Sequence, residues 1–237
     1  IIFDLGLSSL QIFNLDRGFS FNAKKKIDMR MGHNSISAQD VLNKCDLKTL
    51  KNILRYFGDE KDSSRIANNI IRERNESPIL SVPKLVEIIE KSKKKNFKKK
   101  INLSTQTFQA IRIFVNKEVS ELVNGLIKAT RFLKEGGKLI VISFHSMEDK
   151  IVKFYFSNYS KNKSKGSRYY PHIKNDKILF ENYKNKVITP KENEIKENSP
   201  SRSAKLRYAI RSKDNYFYPE ELKKHFMDYL NLESKYV

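Results

Sequence analysis

Apolar residues form two continuous runs that predict strands. The first run ends at Asp4, and the second covers Lys138–Ser143. Short apolar runs without a polar face are typical of strands buried in a parallel sheet. Two later strands are predicted at residues 186–189 and 206–210. Because a compact domain rarely begins inside its central strand, we expect the natural protein to start upstream of Ile1.

Between and after these runs, apolar positions recur with the period of about 3.6 residues that marks amphipathic helices. Ser37 and Asp46 each predict a helix start because their side chains suit an N-cap, and Gly58 predicts the end of the second helix. Further helices are predicted over residues 61–75, from Ser81, from Ser104 as one long helix reaching Leu126, from Met147, and in a tail from Tyr218.

The order of these elements indicates an α/β fold. A strand, a helical block, a second strand, a helix and a strand pair fit the C-terminal part of a doubly wound, Rossmann-like sheet with an inserted helical domain. Ligands of such sheets bind beyond the carboxyl ends of the strands. Asp4 and His145, which follow the two apolar runs, are therefore expected at one edge of the sheet.

Composition adds a large positive charge. Lysine and arginine number 47 against 27 acidic residues, which gives a formal net charge of +20. Such a charge attracts polyanions, so nucleic acid is the first candidate partner and an anionic membrane surface the second. Residues 91–100 include seven lysines. They form either a solvated surface or a phosphate contact, for which Lys94, Lys98 and Lys99 are the candidates.

Other site classes are excluded by what the sequence lacks. Cys45 is the only cysteine, which rules out an internal disulfide and a multi-cysteine metal site, and we expect its thiol to be buried. No apolar run approaches the ~20 residues that span a bilayer, and no secretory signal is visible. We therefore expect a cytoplasmic protein without a membrane partner and without a bound metal. The sequence sets no oligomeric state.

Six motifs occur in an order typical of one family. They are Asp4-Leu5-Gly6-Leu7-Ser8-Ser9-x-Gln11, Arg17-Gly18-Phe19-Ser20-Phe21, Asp28-Met29-Arg30-Met31, Thr107-Phe108-Gln109-Ala110-x-Arg112, Val115-Asn116-x-Glu118 and Ser143-Phe144-His145-Ser146-x-Glu148-Asp149. Together they resemble the RsmH (MraW) family, whose members methylate the exocyclic N4 of a cytidine in the decoding region of small-subunit ribosomal RNA.

The resemblance covers residues 1 to 212 and implies a domain organisation. Residues 1–11 and 106–212 would form the methyltransferase domain. Residues 12–105 would be the inserted helical domain that recognises the substrate. Residues 213–237 would be a peripheral C-terminal tail.

The resemblance also implies a cofactor and its contacts. The methyl donor would be S-adenosyl-L-methionine, held in part by Asp4 and Gln11. Ser8, Ser9 and His145 are the catalytic candidates. Ser8 and Ser9 equally suit a helix cap, and His145 equally suits a packed structural residue.

The partner that the resemblance implies is small-subunit ribosomal RNA or the small ribosomal subunit. Arg17, Arg30 and Arg112 are the candidate RNA contacts besides the lysines. Arg112 either pairs with an acid or meets a phosphate. Phe19 and Phe21 either stack on a base or lie buried in the insertion.

Some family features are absent from the sequence. The eight glycines form no GxGxxG loop, which argues against a dinucleotide-dependent dehydrogenase. The glycine-rich cofactor loop of the family would lie upstream of Asp4. Gln106 stands where the family has an arginine, and residues 198–203 lack one arginine of the family pattern. We expect an RNA cytosine-N4 methyltransferase that is inactive as this chain alone. The alternative is a basic RNA-binding chain without catalysis.

Overall fold

The structure is a computed structural model that describes residues 1–32, 36–93, 102–160, 177–181 and 183–235. The chain divides into two compact units. Unit 1 comprises Ile1–Gly6 and Glu121–Met227, and unit 2 comprises Leu7–Ser120 and Asp228–Val237. Across the described ranges, every helix is too short or too polar to pass through a membrane.

Helices form most of the described structure. In chain order they are α1 (Ser9–Phe13), α2 (Ala38–Lys44), α3 (Leu47–Gly58), α4 (Ser63–Glu76), α5 (Val82–Ser92), α6 (Thr105–Val115), α7 (Glu118–Phe132), α8 (Ser146–Asn158), α9 (Glu192–Glu197), α10 (Glu220–His225) and α11 (Met227–Ser234).

The described residues of unit 1 form a mixed sheet of three strands. They are β1 (Ile2–Asp4), β2 (Lys138–Ser143) and β3 (Lys205–Ile210), in the order β1-β2-β3. β1 runs parallel to β2, and β3 runs antiparallel to it. The predicted α/β class is confirmed, as are the strands that end at Asp4 and Ser143.

Two strand predictions need correction. The first strand is not buried, because β1 is at the edge of the described sheet and Ile2 is 67% exposed. The segment 186–189 forms no strand, and only Ile188 makes an isolated bridge, to Leu206. Asn185 before it has a φ of 47°. Pro190 after it has no N–H to donate, so pairing does not extend.

The caps of the early helices are those that the sequence predicts. Ser37 Oγ accepts a hydrogen bond from the Asp40 N–H at 3.2 Å, and Asp46 Oδ1 accepts one from the Thr49 N–H at 2.8 Å. Gly58 is the last residue of α3 rather than its stop. A Cβ there would lie 2.5 Å from the Gln106 carbonyl oxygen, so glycine lets α6 approach α3.

The predicted long helix from Ser104 is wrong, because it is two helices. α6 ends at Val115 and α7 begins at Glu118. Lys117, between them, has a φ of 51°, which interrupts the helical backbone. The apolar period continues across this break, so the pattern alone does not reveal it.

The C-terminal segment carries buried side chains, in contrast to the expected peripheral tail. In unit 1, Phe226 is fully buried and packs on Phe154 with ring centroids 5.6 Å apart. In unit 2, Glu233 of α11 is 1% exposed.

The limits of the two units also differ from the expected domain limits, because α6 packs on α3 within unit 2. The assignment of a catalytic and a substrate-recognition domain stays a prediction.

Candidate active site and RNA-binding residues

Asp4 is the last residue of β1, and His145 lies shortly after the end of β2, the neighbouring parallel strand of unit 1. Asp4 pairs in register with Ile142, and the Leu5 N–H donates to the Ile142 carbonyl at 3.0 Å. Gly6 continues the chain with a φ of 97°, and a Cβ there would lie 3.7 Å from the Phe144 ring. The carboxyl ends of β1 and β2 therefore lie side by side, as predicted. The exposed Asp4 carboxylate has no hydrogen-bond partner within the described residues.

His145 is the N-cap of α8. Its Nδ1 accepts a hydrogen bond from the Glu148 N–H at 3.5 Å. In return the Glu148 carboxylate accepts from the N–H groups of Phe144 at 2.9 Å and His145 at 3.4 Å. His145 Nε2 lies 3.1 Å from Glu148 Oε1, although the geometry is not that of a hydrogen bond. The imidazole thus has a structural role, and its catalytic role stays a prediction.

Asp149 connects the first turn of α8 to β3. Its carboxylate accepts two hydrogen bonds from Arg207, at 2.7 and 3.2 Å, and Arg207 donates a further one to the Tyr183 hydroxyl at 2.9 Å. Burial raises the pKa of Asp149, but the bonds and charge of Arg207 outweigh it and leave that pKa below its usual value. The sequence analysis did not identify Arg207. The available signal was a cationic residue in the middle of a predicted strand.

In unit 2, Ser8 and Gln11 cap α1 reciprocally. Ser8 Oγ accepts from the Gln11 N–H at 3.3 Å, and Gln11 Oε1 accepts from the Ser8 N–H at 2.9 Å. The structure therefore gives Ser8 the capping role that the sequence left open. Ser9 is exposed at the start of α1. The roles of Ser8 and Ser9 in a cleft, and of Gln11 at a cofactor, stay predictions.

Arg17 and Arg30 both hold the segment around Met31. Arg17 Nη2 donates to the carbonyl oxygens of Arg30 at 2.6 Å and Met31 at 3.2 Å, and its guanidinium lies 5.2 Å from the centre of the Phe19 ring. Arg30 forms a bidentate pair with Asp28, with both bonds at 2.8 Å. Hydrogen bonding to Arg30 lowers the pKa of Asp28. Both arginines thus have intramolecular partners, and RNA contact by them stays a prediction.

Arg112 pairs with an acid, which is one of its two expected roles. Its Nε and Nη2 donate to the Glu118 carboxylate at 2.8 and 2.9 Å. Between these two residues, Asn116 accepts from the Met31 N–H at 2.7 Å and donates to the Met29 carbonyl at 2.8 Å. Motif residues distant in sequence thus converge in unit 2. Asn116 was in a motif, but the sequence assigned it no role.

The lysine-rich segment lies mostly outside the described residues, including Lys94, Lys98 and Lys99. Their predicted contact with phosphate therefore stays a prediction. Lys93, just before them, is described: its Nζ lies 2.5 Å from a Glu60 carboxylate oxygen and 2.5 Å from the Leu103 carbonyl oxygen. The Lys93 side chain is 7% exposed, so it stabilises the fold through these two contacts.

Comparison with known proteins gives a consistent result. The profile described as the MraW methylase family matches residues 1–212. Proteins named ribosomal RNA small subunit methyltransferase H are similar over 212 residues, which is 90% of the chain: that of Sinorhizobium fredii is 42% identical, that of Agrobacterium fabrum 41%, and that of Cereibacter sphaeroides 41%. The match covers 62%, 62% and 64% of these relatives, so the chain spans less than two thirds of their length.

Proposed function

The chain belongs to the MraW methylase family, and on that premise we propose that the protein containing it methylates small-subunit ribosomal RNA. The finer proposal is transfer of a methyl group to the exocyclic N4 of a cytidine in the decoding region. The observation that carries the methyltransferase proposal is that Asp4 ends β1 and His145 follows the neighbouring parallel strand β2, since ligands of such sheets bind at that edge.

S-adenosyl-L-methionine is the proposed cofactor, and the residues present fit it. Asp4 offers an exposed carboxylate at the end of β1, which suits a cationic ligand that carries N–H donors. Gln11 uses its oxygen to cap α1, so its amide N–H groups are what it offers a ligand. When bound, this cofactor supplies the methyl group from its sulfonium.

The remaining task of the protein is to position the acceptor. The N4 lone pair of cytosine is delocalised into the ring, so N4 is a weak nucleophile. It must be held about 3–3.5 Å from the methyl group and in line with the bond that breaks. His145 is proposed to lie beside the cytosine at this edge of the sheet. Ser8 and Ser9 are the candidates from the segment after β1.

RNA binding is proposed to rest on the positive charge of the protein. The formal net charge of +20 attracts the phosphate backbone without reading sequence. Arg30 is the strongest described candidate, because 39% of its side chain is exposed although it pairs with Asp28. Arg112 is 15% exposed and pairs with Glu118, so we propose that it stabilises the fold of unit 2 rather than binding RNA directly.

The experiment is methyl transfer by the protein in its full natural length. Radiolabelled S-adenosyl-L-methionine and intact small ribosomal subunits are supplied, and the labelled nucleoside is identified by mass spectrometry. We expect N4-methylated cytidine. Absence of label in the RNA rejects the methyltransferase, and label on another base rejects the N4 assignment alone.

The second candidate is a basic RNA-binding chain without catalysis, for which the formal net charge of +20 is the supporting observation. Calorimetry on the 237-residue chain separates the two. Micromolar binding of S-adenosyl-L-methionine argues against the second candidate. RNA binding without cofactor binding supports it for this chain.

A further inference from the structure

The last helix of the chain is built into unit 2, although the family match ends at residue 212. The Tyr229 ring of α11 packs on Tyr56 and Phe57 of α3, with ring centroids 5.5 and 6.0 Å apart. Near the end of the chain, Lys235 Nζ donates to Thr49 Oγ1 at 2.9 Å. α11 is therefore held on α3 at both of its ends.

Glu233 is the buried acid of α11, and it binds the start of α7. Its carboxylate accepts hydrogen bonds from the Val119 N–H at 3.1 Å, the Ser120 N–H at 2.8 Å and Ser120 Oγ at 2.5 Å. The N–H groups of a first helical turn have no acceptor within their own helix. A negative charge there is also favoured by the helix dipole.

Among the described residues, the one that directly precedes α7 in sequence does not supply this acceptor. Lys117 directly precedes the helix, and its side chain has no oxygen, so it is not a side-chain N-cap. Its φ of 51° is costly for a residue other than glycine and persists only where surrounding contacts fix the backbone. Glu233 provides such a contact from a position 114 residues away from Val119.

The turn fixed in this way carries motif residues. Asn116, before Lys117, binds the backbone of Met29 and Met31. Glu118, after it, holds the guanidinium of Arg112. A displacement of this turn would therefore alter both sets of contacts.

We propose that Glu233 is a positioning residue: by capping α7 it holds the turn at residues 116–118, and through Asn116 it holds the segment at Met29 and Met31 in the geometry that methyl transfer requires. The part of this inference that concerns catalysis rests on the proposed function. The structural part does not.

Three variants of the full-length protein test it. Glu233→Leu places an apolar side chain in the buried position and removes both carboxylate oxygens that accept hydrogen bonds. Glu233→Gln keeps one oxygen that accepts from the α7 N–H groups. Asp228→Ala removes an exposed acid of the same helix and is the matched control. Hydrogen exchange of the Val119, Ser120 and Met31 amides is measured, with circular dichroism to confirm that each variant is folded at the assay temperature.

The decisive readout is the Met31 amide, which donates to Asn116 and does not touch Glu233. We expect Glu233→Leu to speed its exchange about fivefold, the effect of losing a helix cap. Glu233→Gln restores slow exchange, and Asp228→Ala leaves it unchanged. If only the Val119 and Ser120 amides respond, Glu233 is a cap alone and the positioning role is overturned.

Methyl transfer gives the second readout. At a temperature where all variants are folded, we expect Glu233→Leu to lower kcat about tenfold or more, because small displacements of a site are costly. KM for the ribosomal subunit changes little, and Glu233→Gln recovers most of kcat. Wild-type kcat in folded Glu233→Leu overturns the proposal. If the wild type transfers no methyl group, the proposed function fails, and Met31 exchange still decides whether Glu233 positions this segment.

Discussion

Arg112 and Glu118 form a bidentate ion pair across the break between α6 and α7, with both side chains largely removed from solvent at 15% and 13% exposure. Glutamine at position 118 keeps one oxygen but removes the negative charge and the second acceptor oxygen of this pair. We expect Glu118→Gln to lower the free energy of unfolding by about 1–3 kcal/mol. Urea denaturation measures it. Glu121→Gln, on an exposed position of the same helix, serves as the control, and equal midpoints for the two variants contradict the prediction.

The pair between Asp149 and Arg207 is expected to be more costly to break. The Arg207 side chain is buried at 7% exposure, and that of Asp149 is 13% exposed. Arg207→Ala leaves the Asp149 carboxylate without its main partner, and about 3–5 kcal/mol of stability is lost. Arg202→Ala, an exposed arginine close by in sequence, changes stability little. A loss below about 1 kcal/mol for Arg207→Ala places this pair among weak surface interactions and refutes its role in holding α8 on β3.

The stability of the protein depends on pH through Glu233. Burial raises the pKa of this carboxyl from 4.5 to about 7, against the opposing effect of its hydrogen bonds from Ser120 and Val119. The folded state therefore binds more protons than the unfolded chain between these values. The contribution of Glu233 to the free energy of unfolding is therefore fully present below pH 4.5 and is lost as the pH rises through about 7.

The size of this effect is roughly 2–3 kcal/mol between those limits. Urea denaturation at a series of pH values measures it in the wild type and in Glu233→Gln, which has no titrating group at this position. The variant is expected to show a flatter profile from pH 4.5 to 7. Identical profiles for the two proteins would show that Glu233 does not titrate in this range.

Replacing His145 with asparagine is expected to leave the stability of the protein unchanged but to reduce methyl transfer. Its imidazole caps α8 through the Glu148 N–H, and asparagine is a favoured N-cap that replaces this acceptor. The free energy of unfolding of His145→Asn should therefore lie within about 0.5 kcal/mol of that of the wild type. Methyl transfer should fall about a hundredfold if the imidazole contacts the acceptor base. Unchanged transfer would limit His145 to its capping role.

Local patterns predicted the elements whose causes are local. The runs before Asp4 and over Lys138–Ser143 are strands because they are apolar, and Ser37 and Asp46 cap helices through neighbours three residues away. The break at Lys117 was missed for the opposite reason. It depends on Asn116 binding Met29 and Met31, 87 and 85 residues away, and no local period records that contact.

The sequence predicted where some of the candidate residues lie but not which residues they bind. The motifs gave Arg17, Arg30 and Arg112 as functional candidates, and the structure shows each of them in contacts within the chain. Asp4 was placed correctly because residues after parallel strands share one edge of a sheet. Glu233 gave no signal, since an isolated glutamate near the end of a helix is normally a solvated surface residue.

The edge of the sheet at the end of β1 is proposed to bind the methyl donor through Asp4. Calorimetry of S-adenosyl-L-methionine with the full-length protein tests it most directly, comparing the wild type with Asp4→Asn and with Glu135→Gln, an exposed acid of the same unit. Loss of a charged hydrogen-bond acceptor should weaken binding by about tenfold to a hundredfold in Asp4→Asn, with wild-type affinity in Glu135→Gln. Wild-type affinity in Asp4→Asn would show that Asp4 does not hold the methyl donor.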